Sequence, residues 1–150
     1  MRPKPMVRLL DRPVLEYILR LLKKHGVNDV CLTLGYMADS VEAFVKSADF
    51  GLNIECRTER EPLGTAGGVK ACADFIGDDD CLVISGDAIC DFDLGACFDF
   101  HREKNAAATI VLCASDTPLE YGLVVTGAGG KIERFVEKPS WEAVCTDCIN

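Results

Sequence analysis

Short, almost wholly apolar runs recur along this chain between segments of helical periodicity, and that alternation limits its fold more than any other feature. Val30–Leu34 (VCLTL), Cys81–Ser85 (CLVIS) and Thr109–Ala114 (TIVLCA) have almost no polar face. A strand with one face in water alternates polar and apolar residues, whereas a strand covered on both faces is apolar throughout. The pattern therefore predicts an α/β chain with a mostly parallel sheet and helices on both faces.

The intervening segments support this. Asp11–His25 reads as a helix: Pro13 suits a first turn, Val14, Ile18 and Leu22 share a face with Leu15 and Leu19, and Lys23, Lys24 and His25 precede Gly26. Ala38–Lys46 reads as a second helix with Val41, Phe44 and Val45 inward, Leu52–Arg57 as a strand, Gly64–Phe75 as a helix of small residues, and Asp93–Lys104 as a helix capped by Asp93. Beyond Ala114 the character changes. Leu123–Thr126 and Ile132–Glu137, joined by a Gly-rich turn, read as an antiparallel hairpin inserted into the alternating pattern.

Composition narrows the function. The chain has 150 residues and a net charge of −8, so it lacks the basic footprint that duplex nucleic acid requires and is expected to bind none. No span approaches the roughly 20 apolar residues of a membrane helix, so no membrane partner is expected. The 9 cysteines are odd in number and lie mostly in apolar runs, which predicts buried thiols in the reducing cytoplasm rather than a disulfide framework. Cys145 and Cys148 have C-x-x-C spacing, but a zinc site needs more ligands than one such pair supplies.

Three stretches could carry chemistry. Asp87 follows the apolar run 81–85 with Gly86 leaving room beside it, at the strand end where open α/β sheets bind ligands. A carboxylate there could hold Mg²⁺ against a phosphate, or cap a turn. In FVEKPS, Glu137 and Lys138 are neighbours on a strand and should point to opposite faces. They read either as a polar strand end or as ligands for a sugar hydroxyl and a phosphate. Gly64, Gly67 and Gly68 stand where a helix begins, which suits a plain Gly-rich helix start or the close approach of a phosphate or a flat base. Neither a P-loop nor a G-x-G-x-x-G pattern fits. The 2 histidines, His25 and His101, fall on helices without a nucleophile partner.

RPKPMV (Arg2–Val7), EPLGTAGGV (Glu61–Val69), SGDAICDFDL (Ser85–Leu94), EYGLVV (Glu120–Val125), FVEKPS (Phe135–Ser140) and the final Ile149-Asn150 come in one order along the chain. Together they resemble the sugar-phosphate nucleotidyltransferase family, the nucleoside-diphosphate-sugar pyrophosphorylases, over essentially the whole length. EPLGTAGG is most similar to the mannose-1-phosphate and heptose-phosphate guanylyltransferase branch.

The resemblance implies the nucleotide-diphospho-sugar transferase fold, which is Rossmann-like. It also implies the reaction of an NTP, with GTP favoured, and a sugar 1-phosphate, with mannose 1-phosphate favoured, to an NDP-sugar and pyrophosphate. Lys4 would contact nucleotide phosphates. Leu63, Gly64, Thr65, Ala66, Gly67 and Gly68 would receive the base, and Asp87 would ligate Mg²⁺. Tyr121, Gly122, Glu137 and Asn150 would hold the sugar, and Lys138 the sugar phosphate.

The family's first strand and its Gly-rich triphosphate loop are expected before Lys4, and its second metal-binding Asp after Asn150. Residues 1–150 are thus expected to be a partial nucleotidyltransferase domain, inactive alone; relatives often carry further domains and oligomerise through them, so the resemblance leaves a homo-oligomer open for the full-length parent. A non-catalytic sugar-nucleotide-binding or regulatory subunit of the same fold is the alternative.

Overall fold

The computed structural model describes residues 2–149, and the chain divides into two compact units, one ending at Leu94 and the other beginning at Gly95. In the first unit, strands β1 (Arg8–Leu9) and β2 (Arg12–Pro13) form a short antiparallel hairpin that leads into helix α1 (Val14–Lys24). The helix begins after Pro13 rather than at Asp11, because Pro13 is extended (φ −60°, ψ 148°) and its residues 12–13 are engaged in the hairpin. Its buried residues, Leu15, Ile18, Leu19, Leu21 and Leu22, recur at helical spacing. At its end the Gly26 N–H donates to Lys23 O and the Val27 N–H to Leu22 O, both at 3.1 Å, with Gly26 at φ +81°. This paired closure satisfies the last carbonyls and requires a residue free to turn left-handed.

Strands β3 (Asp29–Leu34) and β4 (Asn53–Thr58) pair in parallel, Asp29 opposite Asn53 through Leu34 opposite Thr58. Parallel neighbours need a crossover, which helix α2 (Ala38–Lys46) supplies. Val30 and Leu34 of β3 and Ala38, Val41 and Val45 of α2 join the buried face of α1 in one core that also takes in Leu94.

The expected helix over 64–75 is split into α3 (Gly64–Ala71) and α4 (Ala73–Ile76), with Cys72 between them at φ −101°, ψ 11°. The strand expected over 81–85 makes no ladder pairing among the described residues. Leu82 and Ile84 still pack against the core while Val83 is 55% exposed, so the two-residue alternation is present without the hydrogen-bonded neighbour that defines a strand. Parallel pairing in the described residues is confined to β3 and β4.

The second unit holds most of helix α5 (Leu94–Glu103) and an antiparallel sheet of β5 (Cys113–Ala114), β6 (Gly122–Thr126), β7 (Ile132–Glu137) and β8 (Cys148–Ile149) in the order β5-β8-β6-β7. Only the last two residues of the apolar run 109–114 enter the ladder. The expected hairpin is β6–β7. Its turn closes through Gly127 N–H to Lys131 O at 2.8 Å, with Gly129 and Gly130 at positive φ. Leu123 and Val124 of β6 are buried with Ile149 of β8, which pairs with Leu123. No helix among the described residues is long and apolar enough to cross a membrane.

Candidate functional site

The ends of the parallel pair β3–β4 position the first group of candidates. Beyond Thr58 the Glu59 N–H donates to Leu34 O at 2.7 Å, which carries the pairing one residue past the strand and sets the Glu59 side chain at the carboxyl edge of the sheet. Its carboxylate accepts the Leu63 N–H at 3.4 Å, the residue just before α3. It also lies against Gly68: a β-carbon there would stand 2.8 Å from Glu59 Oε1 and 3.8 Å from Thr33 Oγ1.

Leu63, Gly64, Thr65 and Ala66 are exposed, Gly67 is half-buried and Gly68 is buried. Gly64 adopts φ +70°, a conformation that L side chains disfavour. Leu63, the residue before α3, makes no side-chain capping bond, and the first backbone N–H groups of a helix have no partner within it. Thr33, Arg57, Thr58, Glu59, Arg60, Glu61, Leu63, Ala71 and Cys72 line an open groove of about 520 Å³ alongside.

Glu59 and Thr33 were not singled out in the sequence. Glu59 sits in the link between the strand and the glycines, and the one available signal was a carboxylate just past a strand end.

The segments that carry Lys4 and Asp87 come together at Pro5 and Gly86. Lys4 is exposed in a single 3-10 turn, Lys4–Met6, closed by Val7 N–H to Lys4 O at 3.0 Å. A β-carbon on Gly86 would meet Pro5 Cγ at 3.8 Å and Leu15 Cδ1 at 4.0 Å. Gly86 thus brings the segment bearing Asp87 into ordinary contact with the segment bearing Lys4. Ser85 Oγ donates to Asp87 Oδ1 at 2.7 Å and orients an otherwise exposed carboxylate.

Among the described residues no three acidic, histidine or cysteine side chains converge as a metal cage. A lone, oriented, solvent-facing carboxylate fits Mg²⁺, which is commonly held by one or two carboxylates with substrate phosphates and water completing the shell.

In the second unit, Gly122 pairs directly with Glu137 across β6–β7, so Tyr121, Gly122 and Glu137 meet at one end of the hairpin. Tyr121 and Glu137 are exposed there. Lys138 departs from expectation. β7 ends at Glu137, and Lys138 lies outside the ladder at φ +40° before the buried Pro139. The strand alternation that would set Lys138 opposite Glu137 therefore stops one residue short of it. Left-handed backbone at a non-glycine residue is strained and gathers at functional sites. Asn150 lies outside the described residues.

Beside the groove, the Arg57 guanidinium fastens α4 to β4. It donates to both carboxylate oxygens of Asp74 at 2.5 and 2.8 Å, to Glu55 Oε1 at 2.6 Å and to Ala71 O at 3.0 Å. The hydrogen bonds from Arg57 hold the Asp74 carboxyl below its ordinary range, and those to Asp74 and then Glu55 raise Arg57 further above its own. On β3, burial first, and the adjacent Cys72 thiol second, push the Cys31 thiol up to about 12.

Residues 1–147 match the family described as Nucleotidyl transferase. The chain is 36% identical, over 99% of its length, to a UTP--glucose-1-phosphate uridylyltransferase of Synechocystis sp., and 38% identical, over 91% of its length, to the mannose-1-phosphate guanylyltransferase catalytic subunit beta of Xenopus tropicalis. It spans 42% and 39% of those relatives' lengths. Among solved structures it superposes on HddC from Yersinia pseudotuberculosis with a TM-score of 0.80 at 27% identity, covering 99% of this chain and 64% of that one. It also superposes on a UDP-glucose pyrophosphorylase complexed with UDP-glucose, TM-score 0.84 at 16% identity, covering 98% of this chain and 65% of that one, a likeness of fold alone.

Proposed function

The chain belongs to the nucleotidyltransferase family, and we propose that it contributes to an enzyme joining GTP and a sugar 1-phosphate, mannose 1-phosphate first, into a nucleotide sugar and pyrophosphate. The observation that carries the choice of base is Glu59 beside Gly68. Guanine presents two adjacent kinds of N–H donor on one edge, at N1 and N2, which a carboxylate accepts side by side. Uracil and thymine present a single N–H between two carbonyl oxygens, which a carboxylate repels. The glycines at 64, 67 and 68 admit the base to the backbone, with Thr65 beside it.

Lys4 would bind nucleotide phosphate. Asp87, oriented by Ser85, would hold Mg²⁺, whose charge offsets that of the phosphates when it is bound. Tyr121, Gly122 and Glu137 would hold the sugar, and Lys138 its phosphate. The acceptor phosphate oxygen would attack the α-phosphorus in line, so the protein's contribution is positioning and charge stabilisation without a covalent enzyme intermediate. We assign the protein to the cytoplasm on its nine free thiols; the burial expected of them holds for Cys72 alone, while Cys81, Cys113 and Cys145 are exposed. The 150 residues are expected to bind nucleotide and not to turn over by themselves.

The test compares GTP, UTP and dTTP by thermal shift and titration calorimetry, with Mg²⁺, on the chain and on Glu59→Gln. GTP should bind at least about tenfold more tightly than UTP, and Glu59→Gln should erase most of that ratio. Equal binding of all three, or a ratio unmoved by Glu59→Gln, would overturn the guanine assignment. Release of pyrophosphate from GTP and mannose 1-phosphate by the isolated chain would overturn its inactivity.

A further inference from the structure

Cys31 on β3 and Cys72 at the break between α3 and α4 are 41 positions apart in sequence, yet their sulfurs stand 3.5 Å apart. Nothing in the proposed transfer chemistry uses either thiol. Cys72 is the hinge of its region. Its N–H donates to Val69 O at 3.0 Å and closes α3, while its carbonyl accepts the N–H groups of Phe75 and Ile76 at 2.9 and 3.0 Å and opens α4. Cys31 is held by the parallel ladder, opposite Glu55. A sulfur–sulfur bond is about 2.05 Å long. Closing it would therefore shift the hinge, a short segment that Arg57 ties to β4 through Ala71 O and Asp74, against a strand fixed along its whole length by the parallel ladder.

We propose that Cys31 and Cys72 form a reversible disulfide that fixes the α3–α4 joint to β3 and so sets the position of the glycine segment at 64–68. The oxidant is a small-molecule disulfide such as oxidised glutathione. Cys72 is little exposed but forms part of the groove wall, where such a molecule can reach it. The Cys72 thiolate attacks one sulfur of the oxidant and releases one small thiol. Cys31 then attacks the Cys72 sulfur of the mixed disulfide and releases the second. Two protein thiols lose two protons and two electrons, and the oxidant is reduced to two thiols. The reduced pair is the resting state wherever the compartment keeps small thiols reduced, and the link forms as its potential rises.

The regulatory consequence rests on the reading of 64–68 as the base shelf. α3 joins that shelf to the hinge, and Gly68 already lies against Glu59, whose carboxylate a β-carbon there would meet at 2.8 Å. A hinge drawn toward β3 carries this helix with it and disturbs the approach of the base.

The chain is equilibrated in glutathione buffers of graded potential, then alkylated and mapped by peptide mass, with hydrogen exchange and GTP titration on the same samples. The expected result is a 31–72 link reversed by dithiothreitol, slower amide exchange over residues 64–76, and GTP affinity at least about fivefold weaker in the oxidised form. Cys31→Ala and Cys72→Ser should each abolish the link and the affinity change, and mapping of the unsubstituted chain decides the matter even if a variant folds poorly. Oxidation of the exposed Cys81, Cys113 and Cys145 with Cys31 and Cys72 left unlinked would overturn the proposal, as would a link that leaves exchange over 64–76 unchanged. An undiminished GTP affinity in the linked form would remove the regulatory consequence. If the reduced chain takes up no GTP, the nucleotide reading fails, while the link and the exchange still decide the hinge.

Discussion

Gly68 and Glu59 touch: a β-carbon built on Gly68 would stand 2.8 Å from Glu59 Oε1. The clash is with the far end of a flexible side chain, and Gly68 does not have a positive φ. Alanine is also the better helix former, by about 1 kcal/mol. Gly68→Ala should therefore leave the melting temperature unchanged or raise it, while pushing the Glu59 carboxylate aside and lowering the GTP-to-UTP binding ratio. Calorimetric unfolding and nucleotide titration on one preparation would show both. A loss of stability without a change in ratio would contradict the role given to Glu59.

Gly67→Ala should behave in the opposite way. Its β-carbon would meet Leu63 Cβ at 2.8 Å, an atom fixed to the backbone that cannot rotate out of reach. The turn over 63–67 must open, at a cost of about 1–3 kcal/mol, and GTP binding should fall with it. Gly64→Ala meets no neighbour but is held at φ +70°, and should cost about 1–2 kcal/mol from backbone conformation alone. Urea midpoints of the two variants, read beside their GTP affinities, would separate crowding from backbone strain.

Leu19 is fully buried in the core that supports β3. Leu19→Ala removes its contacts and leaves a cavity, and should lower unfolding free energy by about 2–5 kcal/mol. A cost below about 1 kcal/mol in urea would show that the α1 face is not the centre of this core.

Asp74 titrates below its ordinary value because Arg57 hydrogen-bonds to its ionised form. The folded pKa is the lower one, so this contribution to stability is present above the unfolded carboxyl value of about 3.9 and is lost as pH falls through the folded value. Arg57→Lys, which cannot make the two-pronged contact, should return Asp74 toward its ordinary range and flatten the acid side of the stability profile. Carbon-detected NMR titration of Asp74 in both proteins tests this. An unchanged Asp74 curve would show that the pair is not formed in solution.

Helix α2 was legible to the residue, Ala38–Lys46, because its periodicity and ends are local. The β6–β7 hairpin was legible for the same reason, since alternating residues flank a Gly-rich turn. The run at 81–85 was legible as apolar but not as unpaired, because ladder bonds depend on a partner far away in sequence. The break at Cys72 carries no glycine or proline to announce it. Glu59 looked like a linker residue because its meaning comes from its fold-imposed approach to Gly68. Gly122 and Glu137 were assigned to the sugar by resemblance, and the hairpin register places them opposite each other. For Lys138, extending strand alternation one residue past the hairpin strand that already ended at Glu137 misled, and only backbone geometry reveals its left-handed conformation.

The left-handed backbone at Lys138, φ +40°, has a consequence for anyone engineering this protein. Glycine adopts that conformation without penalty, so a screen that rewards heat resistance alone should enrich Lys138→Gly. The survivors would be sturdier and would have discarded the ammonium group assigned to the sugar phosphate. A lysine kept where glycine is more comfortable marks a place where durability and usefulness select different residues.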